Sequence, residues 1–199
     1  MCAAPISAGE VAWTAADADW ERLQVAAAEA FAAGDLVGAA PSWAAALRIT
    51  GASFEADDPR RATSLTNQAV ALRLGGDVVA DRLFTNALEV WDAGPAWLAR
   101  QRFARRARSS AFHLRLETKH GGAYDANLRS RAETLLHAGR DATAALAAGA
   151  AARAPDRAVF QALRSAPLDA MRKVLAAAHL LVARAPEHDA QGHPAQEGR

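Results

Sequence analysis

The chain has 199 residues, 51% hydrophobic and 23% charged, with 23 basic and 22 acidic groups. That length suits one domain with a sizeable core, and the composition is that of an ordinary globular protein rather than a disordered one. The net charge of +1 gives no general attraction to nucleic acid, and Cys2, the only cysteine, excludes a disulfide framework or a Cys-based zinc site within one chain.

Ala makes up more than a quarter of the residues and Tyr occurs once. Ala is the best helix former, so the composition points to an all-α protein with closely approaching helix axes. Residues 1–17 are weakly patterned and read as a flexible lead-in. They show neither a basic start nor an apolar run, and no segment has about 18 uninterrupted apolar residues. The expectation is a cytoplasmic protein with no membrane partner.

Asp17 or Asp19 can cap a first helix over 18–33, with Trp20, Leu23, Ala27, Ala30 and Phe31 at steps of three and four. Gly34-Asp35 breaks it. A second helix covers 36–49, with Pro41 in its first turns where proline is tolerated. Residues 50–59 read as a loop. Helix 60–74, the turn Gly75-Gly76-Asp77 and helix 78–91 follow, and Gly94-Pro95 is expected to end that hairpin. Further helices are expected over 96–118, 123–138, 140–152, 156–164 and 167–184, with a break at Gly121-Gly122. The domain would span 18–184, and residues 185–199, rich in Pro, Gly and polar groups, read as a disordered tail.

Two segments share one skeleton. The first is Gly34, Ala39, Trp43, Ala46 and Leu47; the second is Gly75, Ala80, Phe84, Ala87 and Leu88, 41 positions on. Helical hairpins repeated at a fixed period mark a stacked array. The glycine, alanine and aromatic positions resemble the tetratricopeptide repeat. The stretch Ala62-Thr63-Ser64-Leu65-Thr66-Asn67-Gln68-Ala69, with Gly75 and Ala80 to Leu88, resembles the kinesin-light-chain subtype. The resemblance covers 18–92 and extends loosely to 139. It implies an all-α, tetratricopeptide-like helical-hairpin solenoid with additional C-terminal helices. It also implies that the first helix of each hairpin lines a concave face that binds peptides. Asn67 would then take the role of a groove asparagine that hydrogen-bonds a ligand backbone. Thr63, Thr66, Val70 and Arg73 would line the groove beside it, joined by Glu21, Gln24, Ala28 and Phe31.

Arg105, Arg108, Phe112 and Arg115 recur on one helix face, within a stretch from Trp97 to Leu116 that has no acidic residue. Guanidinium groups take carboxylate or phosphate in bidentate fashion. An acidic partner segment is therefore expected against Arg73, Arg105, Arg108 and Arg115, with Phe31 and Phe112 as apolar anchors. A solvated Arg face, or one paired with the acidic first 58 residues, is the plainer alternative. Nucleic-acid binding and self-association through that charge asymmetry are the other two. His113, Glu117 and His120 share a face but match no metal-site pattern. No nucleophile elbow or phosphate loop is present. The expected function is therefore non-catalytic, without cofactor: a protein-interaction adaptor or assembly factor, with homo-oligomerisation open.

Overall fold

A computed structural model describes residues 13–101, 111–153 and 169–183; along 111–125, and at 169 and 182–183, it describes the backbone alone. The described residues are all-α apart from one two-residue ladder. Helix α1 spans Ala15–Ala32, α2 Leu36–Ser53, α3 Pro59–Leu74, α4 Val79–Arg100 and α5 Ala111–Ala147. The two-residue strand β1 (Ala152–Arg153) follows, then α6 (Asp169–Ala176), a 3-10 turn over Ala177–His179, and β2 (Val182–Ala183), antiparallel to β1.

The helix ends follow from local chemistry. Thr14, rather than Asp17 or Asp19, caps α1. Its hydroxyl accepts from the Asp17 amide at 3.2 Å, while the Asp17 carboxylate accepts from the Thr14 amide at 2.8 Å. This reciprocal box satisfies donors that a helix start leaves open. Asp58 caps α3, with Pro59 in the first turn, where its missing N–H costs nothing. Helices α1, α3 and α5 all end in the same motif. The amides of Asp35, Asp77 and Ala150 reach back to the carbonyls of Ala30, Leu72 and Ala145, and Gly34, Gly76 and Gly149 take positive φ. The turn glycine equivalent to Gly34 is therefore Gly76, not Gly75, which keeps right-handed helical geometry at φ −81°.

Side-chain bonds set the directions. Trp20 and Gln24 of α1 bond Ser64 and Asn67 of α3, and Thr66 and Arg73 of α3 bond Thr143 and Leu146 of α5. Residue numbers rise together along each pair, so α1, α3 and the C-terminal half of α5 run side by side in one direction. Helix α4 runs against α5, since Leu98 meets Arg129 and Trp91 meets Thr143.

Three expected boundaries are corrected. Helix α4 continues through Gly94-Pro95 to Arg100. Its apolar face (Phe84, Ala87, Trp91, Gly94, Leu98) carries on across that dipeptide, and burying it against α5 outweighs the hydrogen bond that Pro95 removes. Helix α5 runs unbroken through Gly121-Gly122 and past 140, so the third hairpin expected over 96–139 is not formed. A glycine within a helix costs about 1 kcal/mol, which a 37-residue helix absorbs. Of the expected helix over 167–184, the described residues are α-helical from Asp169 to Ala176, then tighten and extend. The expected helix 156–164 and the tail 185–199 lie outside the described residues.

The C-terminal segment 169–183 returns across α1, α3 and α5. It enters all three buried clusters: Met171, Val174, Ala177 and Leu180 with Trp91, Trp97 and Leu98; Leu181 with Trp43, Phe84 and Leu146; Ala176 with Trp20 and Ala46.

Candidate functional site

The helix α3 carries an unusual load: Thr63, Ser64, Thr66 and Asn67 are polar and all fully buried. Buried polar groups need partners, and those partners define the site. Ser64 Oγ accepts from Trp20 Nε1 at 2.8 Å and from Gln24 Nε2 at 3.1 Å. Gln24 Oε1 in turn accepts from Asn67 Nδ2 at 3.1 Å. Gln24 and Asn67 thus meet in one network between α1 and α3.

Asn67 also holds a main chain. Its Nδ2 donates to the His179 carbonyl at 2.9 Å, and its Oδ1 accepts from the Leu181 amide at 2.9 Å. One turn earlier, Thr63 Oγ1 donates to the Ala177 carbonyl at 2.7 Å. The backbone gripped by Asn67 is this chain's own, and it runs between α1 and α3. The departure of residues 180–183 from helix follows from this grip: the His179 carbonyl and Leu181 amide bond sideways to α3 rather than along a helix.

Charges line one end of the groove and pair within the chain. Arg60 is fully buried, bonded to Asp17 and, at 2.7 and 3.0 Å, to Asp58. Its guanidinium lies 3.6 Å from the Phe54 ring centroid. Burial alone would raise the Asp17 pKa, but the bonds from Arg60 and Thr14 outweigh it and hold the carboxyl below its usual value. Glu21 faces Arg172 of α6 at 3.6 Å, and Arg172 covers the Trp13 ring at 4.0 Å. Trp13 packs here against the chain itself. His179 lies 5.8 Å from the Trp20 ring, and burial pushes its pKa down to about 3.

The remaining predicted residues separate. Arg73 Nη1 donates to the carbonyls of Leu146 and Ala147 at 2.6 and 3.0 Å, and its Nη2 bonds Asp81 at 2.8 Å. It therefore closes the C-terminal end of α5, where a cation is favoured by the helix dipole. Phe31 packs on Trp43 with ring centroids 5.5 Å apart and is only partly buried. Arg105 and Arg108 lie outside the described residues. Phe112 and Arg115, with His113, Glu117 and His120, fall on the first turns of α5, where only the backbone is described.

Ser64, Thr63 and Arg60 belong to the site although only Thr63 stood out as a groove residue. The signal for the others was available: a polar run inside a helix flanked by apolar neighbours on every side demands bonded partners. A shallow cavity of about 310 Å³ between α4 and α5 is lined by Trp91, Pro95, Leu136 and the bonded pair Asp92 and Arg140. Among the described residues no helix is long and apolar enough to cross a membrane. Comparison of the chain with protein-family models, curated proteins and solved structures finds no match.

Proposed function

We propose that this chain is a non-catalytic protein-interaction module, built of tetratricopeptide-like hairpins, that recognises an extended polypeptide backbone between α1 and α3. The observation that carries the reading is the two-pronged grip of Asn67 on a carbonyl and the amide two residues later. That grip reads main chain rather than side chains, which is the role the resemblance assigns to a groove asparagine. Small buried residues (Ala27, Ala39, Ala46, Ala62, Ala69, Ala80 and Ala87) let the helices stack closely enough to form it. The parallel course of α1, α3 and α5 supports the same architecture. In this reading the Arg-rich stretch with Arg105 and Arg108 adds a preference for partners with acidic residues beside the bound segment.

Affinity capture from native lysate on the full chain tests the proposal. The expected result is a retained protein, one linear segment of which suffices for binding on a peptide array. Charge reversal at Arg105 and Arg108 to Glu is expected to weaken that binding about tenfold or more. No protein retained above the bait-free control, or a partner bound only through a folded surface, contradicts the reading.

A further inference from the structure

The groove is full, and what fills it describes what else could. Three contacts hold the segment on α3, from Thr63 to the Ala177 carbonyl and from Asn67 to the His179 carbonyl and the Leu181 amide. All three are made to main chain, so any polypeptide with the same course can make them. Selectivity must come from side chains. Between Ala176 and Leu181 those that enter are Ala176, Ala177, His179, Leu180 and Leu181, each 4% exposed or less. The charges that border the segment are already neutralised in place, Arg60 by Asp17 and Asp58, and Glu21 by Arg172. A charged ligand would have to break one of these pairs, and a buried pair that loses one partner is strongly destabilised. An uncharged ligand leaves the buried Arg60 pairs intact, although departure of the resident segment releases Glu21 from Arg172 at a partly exposed pair.

The segment also has little structure of its own. It consists of an eight-residue helix, one 3-10 turn and a two-residue ladder. Helices this short are not stable alone, so the segment keeps its shape through its contacts with α1, α3 and α5.

We propose that residues 169–183 are a displaceable occupant of the groove, and that the external partner is a polypeptide segment of the same chemistry. That chemistry is an uncharged run of small residues, then one neutral ring of imidazole size, then two adjacent bulky aliphatic side chains. The inference rests on the protein-interaction reading above. Covalent attachment gives the resident segment an effective concentration of order millimolar. The partner must exceed this, so the occupied groove sets a threshold that weak apolar peptides do not cross.

The test uses the full-length chain and an isotope-labelled synthetic peptide of residues 169–183. Hydrogen exchange is followed by mass spectrometry, and the label separates peptide from chain. With excess peptide, exchange of the chain's own 177–183 is expected to rise about tenfold or more while α3 stays protected. A Leu181→Ala chain, whose resident segment is weakened, is expected to bind the peptide about tenfold tighter in fluorescence anisotropy.

If exchange of 177–183 is unchanged at the highest peptide concentration, the segment is a permanent part of the core and the proposal falls. A molar mass that doubles with protein concentration, with no uptake of peptide, makes a second copy the occupant and also overturns it. A captured partner that binds wild type and Leu181→Ala equally sinks displacement but leaves the interaction reading standing. Failure to capture any partner, with peptide exchange intact, does the reverse.

Discussion

Asn67 satisfies two donors and acceptors of a returning main chain and one side chain of α1. Asn67→Ala leaves the Leu181 amide, the His179 carbonyl and Gln24 Oε1 without it, and a lost buried partner costs about 1–3 kcal/mol. The expected loss is about 2–4 kcal/mol in urea unfolding, and Asn67→Asp should cost more at pH 7 although it is nearly isosteric. A carboxylate cannot donate to the His179 carbonyl and brings a buried charge. Equal midpoints for both variants and wild type would show that the network carries no stability.

His179 adds a pH dependence of known sign. Its pKa is about 3 in the folded chain because of burial, against an ordinary value of 6.5. The unfolded chain therefore takes up the proton first as pH falls, so stability is full above about 6.5 and declines towards 3. The slope approaches about 1.4 kcal/mol per pH unit. Asp17, held below its ordinary 3.8, contributes in the same direction but only below that value. Wild type should lose thermal stability between pH 6.5 and 5, and His179→Leu should flatten that slope; an unchanged slope would place the titrating group elsewhere.

At the scale of elements, α4 and α5 show how close packing reverses an intrinsic preference. Gly139 lies inside α5, where Ala would ordinarily stabilise by about 1 kcal/mol. A Cβ there would stand 2.5 Å from Trp91 Cη2. The Trp91 ring cannot yield freely, because its Nε1 donates to Thr143 Oγ1 at 2.8 Å, and Thr143 bonds Thr66 of α3. Gly139→Ala is therefore expected to destabilise by about 1–3 kcal/mol. A rise in melting temperature would mean the ring moves aside.

The same pair of elements marks where sequence reasoning stops. Helices α1 to α3 were legible because turn glycines and apolar spacing agree, although Thr14 rather than Asp17 or Asp19 caps α1. Gly94-Pro95 and Gly121-Gly122 look like stops, yet both lie inside helices, because a local penalty of a few kcal/mol yields to burial along α4 and α5. The resemblance singled out Gln24 and Asn67, and both join one buried network. That the main chain held by Asn67 comes from 112 residues downstream was not legible, because no local pattern encodes which backbone an amide will grip.

Over the whole molecule, the charge asymmetry of the sequence is partly resolved inside the chain. The first 58 residues carry nine acidic groups and two Arg. Of these acids, Asp17 and Asp58 pair with Arg60, Glu21 with Arg172, and Glu55 and Asp57 with Arg100. The Arg60 pairs are buried. Arg60→Leu would strand two buried carboxylates and is expected to cost about 3–5 kcal/mol. Arg100→Leu, at an exposed cluster, should cost far less than Arg60→Leu. Similar unfolding midpoints for the two variants would contradict this division between structural and surface charge.

The central claim is that the chain's own C-terminal segment lies in the groove, held by Asn67. Residue-resolved amide exchange at Leu181, in wild type and in Asn67→Ala, tests it most directly. The account predicts that the Leu181 amide is protected in wild type, and that Asn67→Ala removes this protection while the amides at the centre of α3 keep theirs. A Leu181 amide that exchanges in wild type at the rate of a free peptide would contradict it.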